Sequence, residues 1–592
     1  MEIKKEKNRI AIIGKIYHLI FDPQDPLRVK LFMPPGQPVA DLCVLSGCHQ
    51  VGKFDEFSRL GKPRIRTKPD KIRIELATKS SLWKNKLLIF ECQDDSFQYY
   101  GSIEGRGSLE RVEYFGGNAP SKDYSGSFMP AGFIRPGKEK EGWIGSIPHF
   151  RRFFLPEPNA CFKQYFWSGE YAEIHPRQND HFWGSNWMFT PGPFCYCWDT
   201  GTGKDWVAVG LAPRPGEYNF NDFRYWGGET FSFSVDYEGH TLIRGGWETP
   251  RMVFVFGNNE YEALEKYVTW LKEHFYVNIP HREIPRWWRE PIFCGWGEQC
   301  YEARVVKIDP QLLATQKNYE KYLAILQSHG VRPGIVVIDY KWQTYQGHWE
   351  PHPERWKNMR GFIDQQHRDG KKVLLWLNGW EHGSAPVEEL VTRYGKPIPG
   401  IFGEPIADPS HPGYERRIRE SIRRQLSPDP DCLNADGFKV DITHNTPSGR
   451  DLKVYGKIWG TELLKRVMSI IYDESKKIKP DALIEAHTAN PYFAEVVDVL
   501  RLNDIFTDRN SVVELMFHRA KVAKIAGRYW LIDMDNWPVP TREALMEYLQ
   551  AQPQMGIPSL YYATHTDLSQ EKFTRKDYRL IAEIWKKYRA GL

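Results

Sequence analysis

Asp436-Gly437-Phe438-Lys439-Val440-Asp441 reads as a short buried strand, entered through a glycine and left through a charged residue. Residues two apart on a strand share a face, so Lys439 and Asp441 are expected to point the same way. A buried lysine beside a carboxylate is costly unless the two are paired or put to use. In a closed parallel barrel, Asp441 would stand at the C-terminal end of its strand, the end where such barrels keep their chemistry. Taken alone, the stretch also fits a plainer role in which Asp441 caps the following turn.

Outward from this stretch, similar apolar runs recur between helical patterns. Pro291 to Trp296, Gly334 to Asp339 and Lys372 to Leu377 precede it; Ala482 to Glu485, Val499 to Leu502, Tyr529 to Asp533 and Ser559 to Tyr562 follow. Continuous apolar runs such as Ile335-Val336-Val337-Ile338 suit parallel strands covered on both faces. Between them lie segments with apolar spacings of three and four, including Tyr319 to Leu326, Met359 to His367, Gly460 to Lys477 and Tyr578 to Tyr588. Eight such units in about 300 residues predict a (β/α)8 TIM barrel, an α/β fold. The structural rival is an open doubly wound sheet; no Gly-x-Gly-x-x-Gly follows the first strand to support a dinucleotide version.

The N-terminal part has a different texture. Short alternating runs such as Ile72-Arg73-Ile74-Glu75-Leu76 and Thr230-Phe231-Ser232-Phe233-Ser234-Val235, separated by Gly, Pro, Asn and Asp, predict an antiparallel β-sandwich. Asn259 to Phe275 reads as an amphipathic helix, and His281 to Arg289 as a linker. The expected division is therefore a sandwich over 1–257, a helical linker over 258–289 and the barrel over 290–592.

Composition narrows the function. A net charge of +5 over 592 residues, with no basic cluster interleaved with aromatics, argues against a nucleic-acid partner. No apolar run reaches membrane-spanning length, and the charged start Met1 to Lys7 lacks a signal-peptide core, so a cytoplasmic protein without a membrane partner is expected. Nine scattered Cys do not form a disulfide framework or a zinc spacing. The 22 Trp fill cores but also suit stacking on sugars. If the barrel is right, its strand ends gather Trp296, Glu298, Asp339, Trp342, Trp376, Asn378, Lys439, Asp441, Glu485, His487, Asp504, Asp508, Asp533, Asp535, His565 and Asp567 at one mouth. A carboxylate-rich bowl ringed with indoles fits a neutral polyhydroxylated ligand.

At this point Lys439-Val440-Asp441 resembles the Lys-x-Asp nucleophile motif of the α-glycosidase clan D, which holds the melibiase-type α-galactosidases and the α-glucosidase/α-xylosidase family. Ile505-Phe506-Thr507-Asp508-Arg509-Asn510 is similar to the clan's acid/base segment after the sixth strand, and Asp508 lies 67 residues beyond Asp441. Trp247 to Arg251 resembles the sandwich–barrel junction of the α-galactosidases, whose sandwich is a β-supersandwich; Gly347 to Trp356, Gly370 and Leu375-Trp376 resemble the second and third barrel units of both families. The resemblance implies an exo-acting retaining α-glycoside hydrolase, α-galactosidase-like first and α-glucosidase-like second, with a transglycosylase of the same clan or a catalytically silent sugar-binding barrel as alternatives. Asp441 would be the nucleophile and Asp508 the acid/base, about 5 to 6 Å apart, with Asp504 as the rival acid. Trp296, Asp339, Trp342, Trp376, Lys439, Glu485, His487, Asp504 and Asp533 would bind the sugar. The implied partner is an α-linked oligosaccharide or glycoside; no metal or organic cofactor is implied, and a homo-oligomer is admitted by analogy with such enzymes.

Two positions depart from the α-galactosidases. Their Asp-Asp-Gly-Trp after the second strand is here Asp339-Tyr340-Lys341-Trp342, and their Cys- and Gly-rich segment after the fifth is Glu485 to Asn490. The added Lys341 leaves an acidic sugar open as a ligand. The chain given ends after its last barrel helix, so no C-terminal β-domain is expected.

Overall fold

The computed structural model describes residues 1–6, 9–34, 36–120, 122–128, 151–159, 163–167, 173–174, 191–201, 204–227, 230–505, 512–529 and 531–592. The described residues between Glu2 and Gly257 form an antiparallel β-sandwich whose two longest strands, Ser96–Tyr114 and Thr230–Glu248, pair with each other. Alternation along these strands sends aromatic side chains inward. Phe97 stacks on Phe254 at 4.3 Å, and Phe115, Phe233 and Trp198 extend the same core.

The helix Glu260–Glu273 starts where Asn259 accepts a hydrogen bond from the Glu262 N–H, satisfying one of the free donors of its first turn. It packs against sandwich strands and a barrel helix. On one side Tyr267 lies against Gly210, where a Cβ would sit 2.1 Å from the ring, so only glycine permits the approach. On the other, the Tyr261 hydroxyl meets His518 Nδ1 of the barrel at 2.6 Å.

Eight parallel strands follow: β1 Ile292–Cys294, β2 Ile335–Ile338, β3 Lys372–Asn378, β4 Gly437–Asp441, β5 Leu483–Ala486, β6 Val499–Arg501, β7 Leu531–Asp533 and β8 Ser559–Leu560. They pair in sequence order, β1 also pairs with β8, and a parallel bridge from Asp533 to Ile557 closes the ring. Each of the eight runs expected from the sequence holds one strand. Gly437 enters β4 at φ +154°, and a Cβ there would lie 2.0 Å from the Leu483 carbonyl oxygen, which explains the glycine of the opening stretch.

The helices are α1 Trp296–Val306 and α2 Gln316–Ser328 after β1, α3 Met359–Arg368 after β2, α4 Pro412–Leu426 after β3, and α5 Gly460–Ile478 after β4. Then come α6 Val512–Ala526 after β6, α7 Arg542–Met555 after β7 and α8 Arg575–Ala590 after β8. The pattern of eight strand–helix units breaks once. Between β5 and β6 the described residues form only a short 3-10 turn, Pro491–Phe493. The sandwich and linker cover that side instead: Tyr492 stacks on Tyr218 at 3.8 Å, Asn490 donates to the Gly192 carbonyl, and Arg282 donates to the carbonyl of Ala494 and to Asp498.

Candidate active site

The strand ends of the barrel carry an unusually polar interior. Asp441 closes β4 with its side chain turned into the barrel; three N–H groups donate to its carboxylate and a histidine ring nitrogen lies beside it. Arg501 Nη2 donates to Oδ1 at 2.9 Å and the Ile442 N–H donates to the same oxygen at 2.9 Å; His487 Nε2 lies 3.4 Å from it; Trp376 Nε1 donates to Oδ2 at 3.1 Å. Burial pushes this carboxyl up, but the charges of Arg501, Lys439 and His487 outweigh burial and hold it well below the usual carboxylate range.

Lys439 does share the inward face with Asp441, as period-two alternation requires. Its partner, however, is Asp339 on the loop after β2: Lys439 Nζ donates to Asp339 Oδ2 at 2.6 Å. Both groups are buried, and Asp339 also accepts from Cys294 Sγ and from the Tyr340 N–H. Lys439 and Asp339 thus form a buried ion pair beside Asp441, and Lys439 acts on Asp441 through its charge.

Arg501, at the end of β6, is the residue that sequence reading missed. It is fully buried and carries three acids: Asp441 on Nη2, and both Asp535 and Asp504 on Nη1, the last at 3.3 Å. A usable signal was present, since Arg501 shares a face with Val499 in an otherwise apolar run.

Charge counting then decides protonation. The described interior sets the acids Asp339, Asp441, Glu485, Asp504, Asp533 and Asp535 against two permanent cations, Lys439 and Arg501. Uncompensated buried charge is relieved by taking up protons. Lys439 is used by Asp339, and Arg501 chiefly by Asp441 and Asp535. Asp504 is accordingly pushed up to about 7, by burial first and by Asp535 and Asp441 next, against the pull of Arg501. Asp533 is likewise pushed up to about 7 by burial and Asp535, and Glu485 rises well above the carboxylate range through burial and Asp533. Glu485 and Asp533 are wholly buried.

The aromatic candidates divide. Trp342 is fully buried and donates its Nε1 to the Trp376 carbonyl. Trp376 is buried too, but its Nε1 reaches the nucleophile candidate directly. Trp296, half-buried at the start of α1, stands edge-on to Trp537 at 5.7 Å on the rim. His487 is buried behind Asp441 and also touches Thr443 and Asn503. Lys341, the added lysine after the second strand, pairs with Glu404 at 2.6 Å. Asp508, with Phe506 and the rest of 506–511, lies outside the described residues.

By architecture the molecule is a (β/α)8 barrel with an N-terminal β-sandwich, the fold shared by solved enzymes of the GH31 and GH36 families. Three solved structures illustrate the likeness. A GH31 family sulfoquinovosidase from E. rectale, bound to an aza-sugar inhibitor, matches at 11% identity and TM-score 0.59 over 99% of this chain and 83% of that one. A GH36 α-galactosidase from Geobacillus stearothermophilus matches at 12% and 0.55 over 100% and 86%. A GH31 dextranase from Flavobacterium johnsoniae, complexed with glucose, matches at 11% and 0.52 over 99% and 68%. No family model matches the chain, and no curated protein matches it in sequence.

Proposed function

We propose that the protein is an exo-acting retaining α-glycoside hydrolase acting on α-linked oligosaccharides, with Asp441 as nucleophile and Asp504 as acid/base. One observation carries the reading: Arg501 grips both carboxyl groups, yet Asp441 is held ionised while Asp504 is pushed up to about 7. Glycoside cleavage needs one ionised and one protonated carboxyl group on either side of the scissile bond.

Oδ1 of Asp441 is tied to Arg501 and the Ile442 N–H, which leaves Oδ2, held by Trp376 alone, as the attacking atom. Oδ2 bonds to the anomeric carbon as the glycosidic C–O bond breaks, and the Asp504 proton passes to the departing oxygen. The resulting Asp504 carboxylate then takes a proton from water, whose oxygen displaces Asp441 and restores both groups. Arg501 stabilises the ionised nucleophile throughout without transferring a proton.

The sugar is narrowed by likeness only. Solved structures with this fold include an α-galactosidase with raffinose and an enzyme with isomaltose, so α-galactosides and α-glucosides are the two classes to try. The test is a panel of aryl α-glycosides and α-linked disaccharides with the wild type and Asp441→Asn. Turnover by the wild type that the substitution abolishes supports the reading; binding without turnover of any sugar supports a silent barrel instead. Asp508, the acid implied by resemblance, is separated from Asp504 by the leaving-group test below.

A further inference from the structure

Resting on the reading of Asp441 as the nucleophile of a glycosidase, we infer that Phe402 is the stacking platform for the leaving-group half of the substrate, a specificity-determining residue that no sequence motif pointed to. Phe402 belongs to the long β3–α4 loop, far from the strand ends in sequence. Its ring stacks on Tyr340 at 4.3 Å and meets Trp376 edge-on at 5.9 Å, and Trp376 is hydrogen-bonded to Asp441. Tyr340 and Trp376 are buried, whereas Phe402 is 37% exposed. The three rings thus form a wall that starts beside the nucleophile, and Phe402 is its one exposed member.

The exposed ring is held in place rather than left on a loose tip. It sits in the turn Gly400 to Gly403, closed by the Gly403 N–H donating to the Gly400 carbonyl, with a bridge between Pro399 and Pro405 behind it. The buried carboxylate of Glu381 accepts from the Phe402 N–H at 3.0 Å and from the Glu404 N–H at 3.2 Å. Gly400 lies so close to Glu381 that a Cβ would come within 2.3 Å of its carboxylate. Glu404 is in turn clamped by Lys341 at 2.6 Å, fastening the turn to the β2 loop that carries Tyr340.

A solitary exposed phenylalanine needs no explanation. One fixed at the end of a wall that begins at the nucleophile does, because its position follows depth. The sugar that is attacked must reach Asp441 at the floor, so the group beyond the cleaved bond lies towards the mouth, at the level of Phe402. An aromatic face there suits the C–H face of a second pyranose or an aryl aglycone.

The experiment compares Phe402→Ala with wild type on α-galactosyl and α-glucosyl fluoride, which have no leaving-group sugar, and on melibiose and isomaltose, which do. Loss of one stacking contact predicts about a tenfold fall in kcat/KM for the disaccharides, mostly in KM, and less than a twofold change for the fluorides. Phe402→Trp is expected to restore the disaccharide value, which a merely misfolded loop would not allow. Equal losses on both substrate types, or none on either, overturn the inference. Calorimetric titration of the same disaccharides into Asp441→Asn, with and without Phe402→Ala, reads the platform without turnover. If binding there depends on Phe402 although the wild type hydrolyses nothing, the hydrolase reading falls and the platform stands; if binding ignores Phe402, the platform falls.

Discussion

Arg501 Nη2 lies 2.9 Å from Asp441 Oδ1, deep in the barrel, while Nη1 of the same guanidinium holds Asp535 and Asp504. One cation therefore serves three acids. Arg501→Met is expected to destabilise the fold by about 3–5 kcal/mol, the cost of leaving buried charge without its partner. Arg501→Lys keeps a charge but not the fork, so it should fold yet lose activity. Because Arg501 lowers the Asp441 carboxyl, the acid limb of its kcat/KM profile should move to higher pH; an unmoved limb would show that Arg501 is not what keeps the nucleophile ionised.

The acid/base assignment makes a leaving-group prediction. Asp504→Ala is expected to lose about 10²–10⁴-fold in kcat/KM on substrates with poor leaving groups, and far less on activated aryl glycosides. Asp508→Ala should leave that pattern near the wild-type values. The reverse outcome reassigns the acid to Asp508.

The rate profile carries a second signature. A general acid pushed up to about 7 must lose its proton as pH rises through that value, so kcat/KM on poor leaving groups should fall on a basic limb near 7. Asp504→Asn is expected to abolish this limb along with most of the activity. A basic limb well above 8 in the wild type would contradict the assignment.

Stability should depend on pH through the raised interior acids. The folded Asp533 carboxyl titrates at about 7 and its unfolded counterpart near the ordinary value of about 4, so between those limits the folded state binds the extra proton. Its contribution is fully present below about 4 and lost as pH rises towards 7. Thermal unfolding midpoints measured from pH 4 to 8 should show a decline that Asp533→Asn reduces; an unaltered decline would place the linkage elsewhere.

Trp342 offers a contrast between packing and binding. Its buried Nε1 satisfies the Trp376 carbonyl, so Trp342→Phe should cost about 1–3 kcal/mol of stability through an unsatisfied acceptor. KM for disaccharides should stay within about twofold of wild type. A large KM effect at unchanged stability would make Trp342 a sugar contact.

The barrel strands were legible because buried parallel strands announce themselves as apolar runs between glycine, proline and helical periods. Helix α4 was not, since its stripe of Tyr414, Ile418, Ile422 and Leu426 is diluted by a run of Arg and Glu. The break between β5 and β6 was also invisible: what covers that face is Tyr218, nearly three hundred residues upstream of Tyr492.

By itself the sequence determined that Lys439 and Asp441 share a face at the end of the fourth strand, because alternation along a strand is a local geometric fact. It likewise determined that acids would crowd the strand ends. Only the tertiary structure decided which acid meets which cation, that Lys439 belongs to Asp339, that Arg501 belongs to Asp441, and that Asp504 is pushed above the usual carboxylate range. Those pairings are made across the barrel, between residues brought together from distant parts of the chain, and electrostatic energy depends on distance in space rather than on separation in sequence.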